Sequence, residues 1–465
     1  MALTFCCLYL LLMVTLGYFL FSIIDASGRV TVAQLFGLVP ALGAGALGLL
    51  LFWLSLVGFA PSRILLGAIG FTTLAGLLLL AKFRRLARLN VPLIWTKSDA
   101  WCLLPGVMIL GAVGLLAAGS LAVPLVDWDA FAIWGFKAKV LAHEALHPAP
   151  AYFHDLTLSY SHLDYPLLLP FLTAGAYAAM GAVDDQAGKL VSVFLDVLIL
   201  PLVYLGLRWK LPRLPSLCLC ALLAWLPAFL RFGGTGCADL PLAMFYAGSI
   251  FFAARWLDRR QRDDLVLSVL FSAFTAFTKN EGLALALING LVLLFFSVCS
   301  FQKRAWVGAV VFFAGLLVVD GAWIFWSHSL PRTHENYGSK LLSSQLITNL
   351  PKLKQIFWAM FFELTNSSLW GWLALMTGAL AWLGRRAFLR PPVLAMWLLL
   401  GLHLLTYALV YCVTPWNLTM LLATSLDRLL WHALPAVILL AGWHWAEIST
   451  PPVILTATIE ARSLQ

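Results

Sequence analysis

A chain of 465 residues, 62% hydrophobic and only 11% charged, with a mean hydropathy of +0.92, has too little polar surface to face water on all sides, which excludes a soluble domain. The formal charge of +9 does not point to nucleic acid, because the basic residues fall in short clusters between apolar runs instead of gathering on one soluble face.

Several runs reach the roughly 20 residues needed to cross about 30 Å of hydrocarbon as helix, and no alternation of an outer-membrane barrel occurs. The expected fold class is all-α, a polytopic transmembrane helical bundle. In chain order the spans are predicted at 3–24, 32–58, 64–81, 100–122, 188–207, 216–232, 240–256, 264–278, 282–300, 305–326, 355–381, 391–412 and 429–446, thirteen in all. The first lacks preceding basic residues and a cleavage-like site, and reads as a retained helix. Basic linkers start at Lys82, Arg208, Arg255, Gln302 and Arg385, and the positive-inside rule assigns them to the cytoplasm. These assignments agree if the N-terminus is outside, the C-terminus inside, and the short apolar helix Tyr165–Gly181, begun by Pro166 and broken by Pro170, does not fully cross.

On that topology the segment 123–187, the GGTGCADLP around Asp239, the TKNEG around Lys279, the loop 327–354 and the stretch from TPWNL to TSLDR share one non-cytoplasmic face. Five polar islands on one face predict one shared cavity. The chain divides into three preceding helices (1–99), a module with the large external loop (100–326), and a second loop with C-terminal helices (327–465). Eight cysteines, mostly inside apolar runs and without ligand-like spacing, predict neither disulfides nor zinc.

Chemistry concentrates in 123–170, where Asp127 and Asp129 leave a span and Lys137, Lys139, His162, Asp164 and Tyr165 follow among aromatic residues. Ionisable groups at membrane depth are costly, so a carboxylate at a span end is a functional candidate. Asp129 is the first candidate for a general base and Asp127 its rival, taking a proton from an acceptor hydroxyl while a nearby cation neutralises a leaving phosphate. Trp134, Lys137 and Lys139 recur at near-helical spacing, which predicts an interfacial helix with an aromatic belt and a basic side. Solvated aspartates on a snorkelling helix are the plainer reading of the same residues. Asp127 and Asp129 would also suit a shared divalent metal, Mg or Mn, through hard carboxylate oxygens; no other cofactor is expected.

Asp239 precedes Leu240 and Pro241, where it could cap the next helix or meet a ligand. Lys279 and Glu281 sit where two apolar helices meet; on a continuous helix they diverge, so each needs a partner elsewhere. Arg332, His334 and Tyr337 lie in the loop SHSLPRTHENYGSKL, a solvated turn or a substrate contact. Arg428 could fork onto a phosphate or pair with its neighbour Asp427. No HExxH or GxSxG is present, which removes the zincin and serine-hydrolase readings.

The order of an acidic motif after a span, Asp-Tyr-Pro-Leu-Leu at 164–168, Asp-Leu-Pro at 239–241, Thr-Lys-Asn-Glu-Gly at 278–282 and Ser-Leu-Asp-Arg at 425–428 resembles the GT-C superfamily of polytopic glycosyltransferases. The likeness is to the bacterial branch similar to protein O-mannosyltransferases and the lipid A aminoarabinose transferase, over roughly residues 100–445. It implies an inverting enzyme of the bacterial inner membrane, facing the periplasm. Its donor would be a polyprenyl-phosphate sugar and its acceptor an envelope lipid, glycan or protein. It matches Asp129 to the base, Asp239 to a second acidic position lining the cavity, and loop cations to the donor phosphate. Three spans before the motif-bearing one, and Trp416 and Asn417 where a more polar motif is expected, depart from the pattern. The alternative from another class is a transporter or flippase of a lipid-linked sugar, with Asp239, Lys279 and Glu281 as coupling sites.

Overall fold

A computed structural model describes residues 2–25, 27–83, 85–90, 97–300, 303–331 and 337–449. Apolar runs without interior charge give helix after helix. Helix α1 (Ala2–Ile24) leads through strand β1 (Arg29–Thr31) and a π-helical turn into α2 (Val39–Leu56). Helix α3 (Arg63–Lys82) opens where the Ser62 side chain accepts from the Leu65 N–H, and strand β2 (Arg88–Asn90) then pairs in parallel with β1. After α4 (Leu103–Ala122), a π-helical segment, Asp129–Gly135, continues as α5 (Phe136–His143). Next come α6 (Leu168–Met180), α7 (Asp185–Val197), α8 (Ile199–Arg208), α9 (Arg213–Ala224) and α10 (Pro227–Phe232). Four long helices follow: α11 (Asp239–Arg259), α12 (Arg262–Thr278), α13 (Asn280–Ser300) and α14 (Lys303–Ser327). The chain then forms α15 (Tyr337–Leu341), α16 (Ser344–Asn349), α17 (Leu353–Leu364), α18 (Ser367–Trp370) and α19 (Leu373–Leu383). It closes with α20 (Pro391–Cys412), α21 (Leu418–Trp431) and α22 (Leu434–Ser449).

Helix α11 is the central column. Nearly all its side chains are buried against α7, α8, α12, α13, α20 and α22, and Phe245 and Phe252 meet Phe271 and Phe274 of α12 edge-on or tilted. Helices α3 and α4 instead leave Phe71, Leu78, Leu104 and Leu110 exposed, as expected of sides that face lipid. Hydrocarbon gives helices no hydrophobic drive to associate, so close backbone approach and polar bonds hold them together. A Cβ at Gly17 would lie 1.8 Å from the Val39 carbonyl oxygen, and one at Gly43 1.7 Å from that of Met13, so only glycine permits this α1–α2 crossing. Deeper in, the Asn289 amide of α13 donates to Ser249 Oγ at 2.6 Å and Ser272 Oγ at 3.2 Å, tying α11, α12 and α13.

Among the described residues nine helices are long and apolar enough to cross a membrane, and ten if α21 and α22, bent by 48°, count as one span. Thirteen were expected. Span 216–232 is divided at Pro227 into α9 and α10, and 264–278 is the 17-residue α12. Span 355–381 is broken, because Asn366 caps a new short helix and Gly371 takes a positive φ; α17, α18 and α19 replace it. Span 429–446 is the second arm of the bent pair. Helix α6, 13 residues and about 20 Å long, is shorter than the hydrocarbon layer and packs inside against α1, α2 and α5.

The two ends of the bundle differ. One carries the α4–α7 connection, the start of α11 and the α12–α13 junction. The other carries the ion pairs Arg255–Asp264 at 3.2 Å, Lys210–Asp258 at 3.6 Å and Arg390–Glu447 at 2.6 Å. In a cysteine-free background, a thiol at exposed Leu156 and one at exposed Leu389 are expected to react with a membrane-impermeant maleimide from opposite sides of the membrane. Labelling of both from one side contradicts this arrangement.

Candidate active site

Two charged side chains define the floor of the first end. Asp239 opens α11, but its N-cap position is Ala238 and no side-chain cap bond forms, so Asp239 is not a helix cap. Its carboxylate is turned inward, where Oδ1 accepts from Lys279 Nζ at 2.9 Å and stands 3.2 Å from His432 Nε2. Lys279 reaches it because one residue, extended at φ −156° and ψ 156°, separates α12 from α13. That break also corrects the expected divergence of Lys279 and Glu281: extended backbone sends alternate side chains to one side, and Lys279 Nζ lies 3.2 Å from Glu281 Oε1. Burial pulls the Lys279 pKa down, but the Asp239 and Glu281 carboxylates together outweigh it, and the ammonium is held charged with its pKa above the ordinary value.

Arg428 forms the bridge to the mouth of the site. Its guanidinium does not pair with the Asp427 carboxylate, which accepts instead from the Arg428 backbone N–H at 2.8 Å and faces Arg231 at 3.9 Å. Nη1 donates to Asp129 Oδ2 at 2.6 Å and lies 3.9 Å from Asp239 Oδ2. One alternating chain of charge thus runs Asp129, Arg428, Asp239, Lys279, Glu281. Side-chain exposure is lowest in its middle, 5% and 8% at Asp239 and Lys279, against 23% and 28% at Asp129 and Arg428 and 25% at Glu281, so solvent or a ligand meets its two ends before its middle.

The loop between α10 and α11 supports this floor. Gly234 and Gly236 adopt positive φ, and Gly234 is held on both sides: its N–H donates to Asp196 Oδ2 at 2.7 Å and its carbonyl accepts from Ser120 Oγ at 2.6 Å. These glycines therefore serve a turn. Cys237, in the same loop beside Asp239, has its thiol pushed up to about 12, first by burial and then by that carboxylate, and remains protonated.

Residues 164–323, about a third of the chain, match the family model described as dolichyl-phosphate-mannose-protein mannosyltransferase. That match supports a membrane glycosyltransferase of the GT-C type. No curated protein and no solved structure matched the chain. The matched segment contains Asp164, Tyr165, Asp239, Lys279 and Glu281; Asp129 and Arg428 lie outside it.

The other described candidates are not members of this charge chain. Asp127 is exposed, and nearby Lys189 donates to the carbonyls of Val123 at 3.0 Å and Pro124 at 3.3 Å, fastening the chain just before it. Lys137, His162, Asp164 and Tyr165 form a knot of their own. The expected basic face is absent at Lys137, whose side chain is wholly buried, donates to the His162 carbonyl and lies over the Trp134 and Tyr165 rings, while His162 stacks on Tyr165 at 4.4 Å. Lys139 is half-exposed and pairs with Asp185 at 2.7 Å. Tyr337, which begins α15, stands under Lys340, whereas Arg332 and His334 lie outside the described residues. Among the described residues no group of three or more His, Cys, Asp or Glu side chains is set to hold a metal.

Two groups escaped sequence reading, His432 and Tyr407, although both carried a signal. His432 is four residues beyond Arg428, on the same face, and His403, Tyr407 and Tyr411 recur every fourth residue of otherwise apolar α20.

Removing Lys279 leaves the Asp239 carboxylate buried with reduced compensation, at a cost of about 3–5 kcal/mol. Lys279→Ala is therefore expected to lower the melting temperature in detergent, and Lys279→Met with Asp239→Leu to recover part of the loss; an unchanged Lys279→Ala melt contradicts this.

The Lys137 knot predicts a pH dependence. Burial depresses its amine from 10.5 to about 7 in the folded chain, against the opposing pull of Asp164. Between those values the unfolded chain binds the additional proton, so this group makes stability rise as pH rises from 7 to 10.5 and contributes no slope below 7. Lys137→Met is expected to flatten that slope in urea titrations at pH 7, 8.5 and 10.

Proposed function

We propose that the chain transfers a sugar from a polyprenyl-phosphate-linked donor to a hydroxyl of an envelope lipid, glycan or protein, on the periplasmic side of a bacterial inner membrane and with inversion. The observation that carries this reading is the charge chain: a partly open carboxylate joined through an arginine to a buried acid–lysine pair, beside helices that face lipid. A donor of this class keeps its tail in hydrocarbon and its phosphate at the interface, beside such a pocket.

In this mechanism Asp129 is the general base. It takes the acceptor hydroxyl proton as the acceptor oxygen bonds to the anomeric carbon, while the bond from that carbon to the phosphate oxygen breaks and its electron pair leaves with the phosphate. Arg428 suits that phosphate because a guanidinium presents a planar fork of donors. Before donor binding its Nη1 donates to Asp129 Oδ2 at 2.6 Å, and as it turns to the phosphate it frees that oxygen to accept the acceptor proton. Lys279 and Asp239 keep Arg428 from collapsing inward. Arg332 and His334, between α14 and α15 in the sequence, remain candidates for holding the donor. The transporter reading has less support because these groups gather at one end of the bundle.

Asp129→Asn, reconstituted in liposomes with polyprenyl-phosphate mannose and an envelope lipid extract, is expected to lower product formation by on the order of a thousandfold, measured by mass spectrometry, with folding preserved. Full activity of that variant removes Asp129 as the base. Transport of the intact donor without product by the unmodified protein favours the flippase.

A further inference from the structure

Asp239 is held from a third side, through residues that the transfer chemistry above does not use. His432 lies at the bend between α21 and α22, and its ring is fully buried. Nε2 stands 3.2 Å from Asp239 Oδ1, and Nδ1 stands 2.7 Å from the hydroxyl of Tyr407 on α20. We infer that Tyr407 and His432 are positioning residues that hold the Asp239 carboxylate, Oδ1 toward Lys279 and Oδ2 toward Arg428, by a fixed order of protons. This deepens the transferase reading and rests on it.

The order follows from what each atom can do. An ionised carboxylate only accepts, so His432 Nε2 must carry the hydrogen. In the neutral ring Nδ1 is then an acceptor, and the Tyr407 O–H donates to it. Every polar atom of the chain then has a partner. In the imidazolium, Nδ1 would donate to the Tyr407 oxygen and leave the hydroxyl hydrogen with none, because the neighbouring His403, edge-on to the Tyr407 ring at 4.5 Å, has no hydrogen bond at either ring nitrogen. In the other neutral tautomer a lone pair would face the carboxylate. Tyr407 therefore selects the tautomer, and the tautomer orients Asp239, as second partners of a histidine do at other sites. Without that hold Oδ2 is free to rotate away from Arg428, and Asp129 becomes the only carboxylate positioning the guanidinium.

The test reads the proton directly. Nitrogen-15 spectra of the full chain in bilayers, labelled at histidine, isolate His432 by difference from His432→Gln. The expected signal is a neutral ring protonated at Nε2, and Tyr407→Phe is expected to convert it to a tautomer mixture. An imidazolium, a ring protonated at Nδ1, or a spectrum indifferent to Tyr407→Phe overturns the inference. Kinetics with polyprenyl-phosphate mannose give the second arm. Tyr407→Phe is expected to lower kcat about tenfold with KM unchanged, and His432→Leu about a hundredfold, the range for removing groups that orient a ligand. His432→Gln, whose amide can replace the Nε2 hydrogen, should remain within about fivefold of the unmodified protein. Gln and Leu variants of equal activity and equal folding also overturn it. An unmodified protein without transfer activity would sink the transferase reading alone, since the spectra decide the proton order independently.

Discussion

A carboxylate buried at the end of a membrane bundle must be matched by cations and donors, because water is not there to solvate it. Asp239 imposes that constraint, and the surrounding geometry answers it. Lys279 approaches through the one extended residue that joins α12 to α13, and Arg428 and His432 approach from one face of α21 and its bend. The loop that delivers Asp239 is itself clamped by Asp196 and Ser120. Helix α11 begins where it does because its first residue belongs to the site and not to its own cap.

The network is driest in its middle, at Asp239 and Lys279, and partly wet at Asp129, Arg428 and Glu281, so the attraction of Arg428 for Asp239 is less screened than that for Asp129. In the proposed mechanism a dry floor and a partly open mouth let one arginine serve an acid or an incoming anion. The loop knot of Lys137, His162, Asp164 and Tyr165 stands apart as a structural clasp, in which a buried amine satisfies a carbonyl and two rings.

Several features were readable one residue at a time. Hydropathy located the long apolar helices, while the caps formed by Ser62, Asp184 and Asn417 came only with the structure. Breaks inside apolar runs were not readable: 355–381 looks continuous until Asn366 caps a new turn, and 429–446 conceals a bend. Lys137 illustrates the opposite failure. Its spacing resembles a basic helix face, yet the loop folded over it turns that face inward.

By itself the sequence determined that this chain is a membrane bundle with its ionisable groups gathered at helix ends, because hydropathy and charge are sums over neighbouring residues. Only the tertiary structure decided which acid meets which base. The deciding pairs lie 40, 193 and 299 residues apart, for Lys279 with Asp239, His432 with Asp239, and Arg428 with Asp129. Over such separations local propensity carries no information, and the pairing follows from how helices with complementary faces pack.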